Sequence, residues 1–216
     1  MGKLISFLIP TRERTELLIR SITLLINNAV APQEFEYLIK FDSDDIESMT
    51  EFLSNDICDR IDCKVLITDR KGGYADLYID INDLCRIATG EFLMLYNDDA
   101  FMTTQNWDEH VRKYSGRLCV LWPHSGNRTH NCFPIVHRKY FEILGHFSLQ
   151  THNDTWVEEV SRKADIEIDV PEIFIRHTKN SNYRQLYRTE EFYQMEDERN
   201  RDVEKIKIYR VKEANP

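Results

Sequence analysis

The chain has 216 residues, 30% charged and 42% hydrophobic, with a formal net charge of −9. That length can bury a full core, and one domain (1–185) with a charged C-terminal helix or arm (186–216) is expected rather than two domains. The negative balance argues against nonspecific nucleic-acid binding over the whole surface, and no apolar run approaches the roughly 18 residues that a membrane span needs.

The opening MGKLISFLIP is too short for a signal peptide and has no cleavage site. Gly2 and Ser6 match a myristoylation pattern, but the same residues read as a buried first strand. LISFLI (4–9) ends at Pro10 and Thr11, after which Leu18, Ile22 and Leu25 fall on one helical face. EYLIKF (36–41) reads as a second strand running into DSDDIES, where Asp44 and Glu47 have the spacing of a capping box. KVLIT (64–68) is a third strand, followed by the glycine turn RKGGY and a helix with Leu77, Ile81, Leu84 and Ala88 on one face. EFLMLY (91–96) is a fourth, and it ends abruptly in Asn97, Asp98 and Asp99. Two adjacent carboxylates repel each other unless a cation stands beside them.

Beyond Ala100 the rhythm loosens. TTQNWDEHVRKY reads as a helix, RLCVLWP and CFPIVHR as strands, HSGNRTHN as a loop, and KYFEILG and TWVEEVSRKA as helices. VPEIFIRH is a late strand ending in His177; the tail from Thr189 offers only Phe192, Met195 and Ile206 as anchors. No Asp or Glu occurs from His110 to Phe141, nor in IFIRHTKNSNYRQLYR, an asymmetry that points to an anionic ligand or acceptor on one side. Cys58, Cys63, Cys85, Cys119 and Cys132 are odd in number and contain no CxxC pair, so a reducing cytoplasm is expected and the sequons at Asn127 and Asn153 carry no meaning.

Strands alternating with helices predict an α/β fold with a largely parallel sheet, in which ligands sit beyond the carboxyl ends of the strands. Thr11, Arg12, Asp42, Lys71, Asp98 and Asp99 all come directly after strands and would gather there.

ISFLIPTRER, LIKFDSDD, IATGEFLMLYNDDAFMTTQNW and GHFSLQTHNDTWVEEVSRKA, in this order from about Ile5 to His177, resemble a small glycosyltransferase of the GT-A fold, most similar to glycosyltransferase family 2. The resemblance implies a Rossmann-like, mostly parallel central sheet flanked by helices, with a C-terminal helical extension. It makes Asn97-Asp98-Asp99 a variant of the acidic DxD motif, which holds a divalent metal, Mn²⁺ or Mg²⁺, on the diphosphate of a nucleotide-sugar donor. Asp99 is then the direct metal ligand and Asp98 reaches the ribose or the metal's water shell, with His177 completing the metal shell. Pro10, Thr11 and Arg12 correspond to the base-binding segment, Asp42 to the acid that contacts the nucleoside, and Lys71 to a basic residue near base or diphosphate. Asp154 falls on the general base of the inverting members, with Asn153 where its partner is commonly an acid. Arg176, Lys179 and Arg184 are candidates to neutralise the departing diphosphate.

Read without the resemblance, Asp154 could cap a helix starting near Thr155, Asp42 could open a helix, and Arg12 and Arg14 could face solvent. The function expected is a metal-dependent, inverting transfer from a nucleoside-diphosphate sugar to an acceptor hydroxyl. The acceptor is open: glycan, lipid-linked sugar, protein, small molecule or a hydroxylated base in DNA, which would show as steep salt dependence. Two alternatives are a nucleotidyltransferase, disfavoured because PTRERT lacks a glycine-rich phosphate loop, and a non-catalytic nucleotide-sugar module, motivated by Asn97 and Asn153.

Overall fold

The computed structural model describes residues 2–70, 73–126, 132–178 and 194–214; Lys71, Lys179, Arg184 and Phe192 lie outside them. The first apolar run becomes β1 (Ile5–Pro10), which lies between β2 (Phe35–Asp42) and β4 (Phe92–Leu95) and is parallel to both. Flanked on both edges and covered on both faces, it reads as an unbroken apolar run rather than an alternation. β3 (Cys63–Thr68) pairs parallel with β2. On the other side of β4 come β7 (Ile135–His137), β6 (Val120–His124), β8 (Glu167–His177) and β5 (Ala100–Met102), in the order β3-β2-β1-β4-β7-β6-β8-β5. β7 is antiparallel to β4 and β6, and β5 to β8, so the sheet is parallel in its first half and mixed in its second.

One face of this sheet packs on α1 (Thr15–Asn27), α2 (Ile46–Leu53) and α5 (Trp107–Arg112). Leu18, Ile22 and Leu25 of α1 are fully buried there with Phe7, Phe35, Tyr37 and Trp107, whose indole N–H donates to the Leu25 carbonyl at 3.1 Å. The opposite face takes α4 (Leu77–Ile87), α6 (Lys139–Leu144), α7 (Asn153–Lys163) and α8 (Glu196–Ala214), around Leu8, Leu38, Leu93, Trp122 and Trp156. A single turn, α3 (Ile57–Arg60), leads into β3.

Two expectations change. AFM, directly after the aspartates, is strand β5, and the helix expected over TTQNWDEHVRKY is confined to Trp107–Arg112. The capping box at Asp44 does not form: the residue before α2 is Asp45, without a side-chain cap, because both carboxylates are drawn to the β1–α1 loop. Of the helix or arm expected for the charged tail, the structure has a helix, docked over Glu196–Ala214. In it Val203 and Ile206 are buried, as are the charged Arg199 and Asp202: Arg199 Nε donates to Glu159 Oε2 at 2.6 Å, and Asp202 Oδ2 accepts from Trp156 Nε1 at 3.2 Å and lies 3.3 Å from His146 Nε2. Asp202→Ala strands the buried indole N–H and should cost about 2 kcal/mol in urea unfolding, with hydrogen-exchange protection lost first in α8.

The β1–β4 pairing is fixed at its entry by Glu36. Its buried carboxylate accepts from Ser6 Oγ, from the Thr89 N–H and from the Gly90 N–H at 3.0 Å, and pairs with Lys64 at 2.8 Å. Burial alone would raise its pKa, but these donors outweigh it and hold it down at about 2. A Cβ at Gly90 would stand 2.5 Å from the Ser6 nitrogen and 2.7 Å from the Ile5 carbonyl carbon. Gly90→Ala should therefore lower stability by about 3 kcal/mol, read as a reduced urea midpoint with an unchanged m-value.

Candidate active site

Because β1 and β4 are neighbours, their carboxyl ends bring Thr11 to Asp98, 87 positions apart in sequence: Thr11 Oγ1 donates to Asp98 Oδ2 at 2.8 Å. Arg14 Nη1 donates to the other oxygen, Oδ1, at 3.1 Å and stands 3.6 Å from Asp99 Oδ2. A cation of the kind two adjacent carboxylates demand is thus supplied by a side chain of the β1–α1 loop. Both aspartates are buried, at 5% and 7% exposure. Burial pushes the Asp98 carboxyl up; Thr11 and Arg14 pull it down, and the neighbouring Asp99 adds to the upward push, leaving it raised.

His177 reaches the same corner by an unusual route. The first part of β8 runs parallel to β6, the register breaks between Pro123 and His124, and its last residues pair antiparallel with β5, setting His177 opposite Ala100. Pro123 and Pro171, which lack an N–H for the ladder, lie at this irregularity. His177 Nε2 is 3.0 Å from Asp99 Oδ1 and 3.3 Å from the Asn97 amide nitrogen, with its ring edge-on to Phe133. Burial lowers its pKa, but Asp99 and Cys132 together raise it to about 9. The Asp99 carbonyl also accepts from Thr178, which ties the two strand ends together.

A second charged cluster caps β2. Arg12 binds Asp44 through both Nη atoms and donates to Asp42 Oδ2 at 3.0 Å. Asp42 Oδ1 accepts from Lys40, which also pairs with Asp80 of α4 at 2.9 Å. Burial works against the Lys40 charge, yet the two aspartates keep its pKa raised. Lys40 was not among the sequence candidates; a lysine inside the apolar run EYLIKFD is the signal that could have found it.

Asp154 lies in the first turn of α7, half-buried, with Oδ1 accepting from the Thr155 N–H at 2.8 Å. It does not cap the helix, whose N-cap position is His152. The loop before it is fastened to the crossover after β3: Asn82 of α4 accepts from the Phe147 N–H at 2.6 Å and donates to the Ser148 carbonyl at 2.8 Å, and Thr151 Oγ1 donates to the Ala75 carbonyl. Asn153, standing where an acid was anticipated, has a structural task. Its Oδ1 accepts from Ser148 Oγ and its Nδ2 donates to the Thr151 carbonyl at 3.0 Å, uses that a carboxylate could not duplicate.

Among the described residues, one further candidate, Arg176, is not gathered here. Arg176 alternates with His177 along β8 and projects to Phe101, which it shares with Arg20, their guanidinium carbons 5.5 and 4.7 Å from the ring centre. Of the described cations in the acid-free block, three are tied to other segments. Arg112 pairs with Glu34, Lys139 with Glu213, and Arg138 caps the Ala88 and Gly90 carbonyls, while Arg128 and His130 lie outside the described residues. A 420 Å³ recess lined by Gly2, Lys3, Glu34, Glu91 and Arg112 opens at the amino-terminal ends of β1 and β4, at the opposite end of these strands from Thr11, Asp98 and Asp99.

Among the described residues no cluster of three or more His, Cys, Asp or Glu could hold a metal unaided. The fit is to a dication shared with a ligand. Asp99 and His177, hydrogen-bonded to each other at 3.0 Å, are the side chains that would hold it, with water and phosphate oxygens as the further ligands such an ion ordinarily takes.

No protein-family model matches the sequence, and no curated protein matches it either. Solved structures do match. Mannosyltransferase PcManGT from Pyrobaculum calidifontis, in complex with GDP-Man and Mn²⁺, aligns with TM-score 0.62 and 14% identity over 84% of this chain and 59% of its own. S. aureus TarS 1–349 in complex with UDP-GlcNAc aligns with TM-score 0.71 and 12% identity over 92% and 66%, and the same protein with UDP with TM-score 0.66 over 93% and 64%. The chain thus spans about three-fifths to two-thirds of the length of these proteins. Identities this low establish architecture alone, and the architecture is the GT-A fold.

Proposed function

We propose that this protein is a metal-dependent, inverting glycosyltransferase, akin to glycosyltransferase family 2, that moves a sugar from a nucleoside-diphosphate sugar to an acceptor hydroxyl. The observation that carries the reading is the corner formed by Thr11, Asp98, Asp99 and His177, set in the fold of a mannosyltransferase solved with GDP-Man and Mn²⁺. Asp99 and His177 would hold Mn²⁺ or Mg²⁺. The ion supplies charge neutralisation to the departing diphosphate. Thr11 and Asp98 form one hydrogen-bonded unit for the ribose side of the donor, and Pro10, Arg12, Asp42 and Lys71 are assigned to the nucleoside and its phosphates. Lys40 holds Asp42 in one orientation, a supporting role of the kind that fixes a binding carboxylate.

Asp154 is the proposed base. Its place in the first turn of α7 suits a carboxylate, because the helix N-terminus favours negative charge. It takes the proton of the acceptor hydroxyl as that oxygen attacks the anomeric carbon; the bond from carbon to diphosphate oxygen breaks on the opposite face, and the nucleoside diphosphate leaves. Arg112, Lys139 and Arg138 of the acid-free block are engaged by acids and carbonyls of this chain and lend no support to a polyanionic acceptor such as DNA over other hydroxyl compounds, so the acceptor stays open. The test is a thermal-shift screen of UDP- and GDP-sugars with and without Mn²⁺. A donor that binds raises the melting temperature, more so as its concentration exceeds Kd, and the reading requires at least one that does so only with metal.

A further inference from the structure

The cation beside the aspartate pair belongs to the chain itself. Arg14 reaches Asp98 Oδ1 at 3.1 Å and stands 3.6 Å from Asp99 Oδ2, with its side chain 25% exposed. Both oxygens of Asp98 are therefore engaged, by Thr11 and Arg14, and Asp99 Oδ1 faces His177. Asp99 Oδ2 is the least committed oxygen of the four: Arg14 approaches it from beyond hydrogen-bond length.

The loop is built to send this arginine there. Glu13 has φ 56°, a left-handed conformation costly for a residue with a Cβ, and its N–H is held by Asp45 Oδ2 at 2.9 Å. Across that turn the flanking side chains part company. Arg12 goes to Asp42 and Asp44 at the end of β2, and Arg14 to Asp98 and Asp99 at the end of β4.

We propose that Arg14 is a built-in stand-in for the dication: it supplies positive charge beside the aspartate pair while no metal is bound, and gives way to the ion at Asp99 only when a diphosphate is present to receive its guanidinium. The inference rests on reading the corner as a metal and diphosphate site. A dication arriving alone must either share the buried carboxylates with a guanidinium of like charge or leave that guanidinium without its counter-ion. A diphosphate removes both penalties, since its oxygens accept the planar N–H fork of arginine and supply further ligands to the ion. Metal and nucleotide then bind with positive coupling, and the coupling must be reciprocal.

The experiment titrates Mn²⁺ into the full chain by calorimetry, with electron paramagnetic resonance of free Mn²⁺ as a check, alone and in saturating UDP or GDP. Wild type should bind Mn²⁺ at least about 10-fold more tightly with its nucleotide than without, within the usual range of coupling between sites. Arg14→Gln should bind Mn²⁺ alone about 10-fold more tightly than wild type and lose most of the coupling, whereas Arg14→Lys, which keeps the charge, should retain it. If wild type binds Mn²⁺ equally well with and without nucleotide, the stand-in is overturned whatever the variants do. It is also overturned, with the site reading intact, if wild type shows coupling but Arg14→Gln binds Mn²⁺ alone no better. Failure of wild type to bind Mn²⁺ with either nucleotide overturns the site reading and the stand-in together.

Discussion

Asp99→Asn should reduce manganese-dependent transfer, measured as release of nucleoside diphosphate, by about 10³-fold or more, and remove the metal-dependent part of the thermal shift given by the donor. The carboxylate offers one oxygen to His177 and holds the other nearly uncommitted, so an amide in its place removes an anionic ligand without removing volume. A dication typically stabilises a departing phosphate by several kcal/mol, and each 1.36 kcal/mol, roughly, is tenfold in rate. The fold should survive, because the substitution also relieves repulsion with Asp98, whose carboxyl is pushed up in part by that neighbour. Excess chelator applied to wild type should reproduce the loss, and Mn²⁺ should restore it in wild type only. Full activity of Asp99→Asn would remove the metal from the mechanism.

Asp154→Asn should lower turnover by about 10² to 10⁴, the contribution of a positioned general base, while leaving donor affinity within about twofold. The two readouts separate because Asp154 belongs to α7 and its loop, whereas Thr11, Asp42 and Asp98 stand at the ends of the strands β1, β2 and β4. The side chain is partly exposed and its Oδ1 meets a local N–H, so the amide should not unfold the loop, whose tethers run through Asn82, Thr151 and Asn153. Single-turnover release of UDP or GDP, compared with calorimetric donor affinity, decides it. Equal losses in both would make Asp154 a binding residue.

The residues legible in the sequence are those whose signal is local. β1, β2 and β4 showed as short apolar runs because strands covered on both faces carry no polar alternation, β3 showed as the run KVLIT on the sheet edge, and α1 showed as the spacing of Leu18, Ile22 and Leu25. The corner at the carboxyl ends was legible because a parallel sheet gathers the loops that leave its strands on one side, which brought Thr11 to Asp98 across 87 positions.

The features that escaped were set by partners distant in sequence. Nothing local says that Arg14 turns toward Asp98 while Arg12 turns toward Asp42; that division depends on the left-handed Glu13 and its tie to Asp45. Asp44 had the spacing of a cap, yet a guanidinium 32 positions away competes for it successfully. α8 gave a weak apolar signal because part of its docking runs through buried ion pairs and an indole N–H, groups that count as surface in any hydropathy pattern. In the acid-free block, too, the partners lie far off in sequence: Arg112, Lys139 and Arg138 meet acids and carbonyls supplied by other segments.

The central claim, that Asp99 holds a dication on the diphosphate of a nucleotide sugar, is tested most directly by crystals grown with Mn²⁺ and UDP or GDP and measured by anomalous scattering at the manganese edge. One manganese peak is expected, bonded to the Asp99 carboxylate and to diphosphate oxygens, with the nucleoside lying between Thr11 and Asp42. A nucleotide bound elsewhere, or a manganese peak with no contact to Asp99, would contradict it.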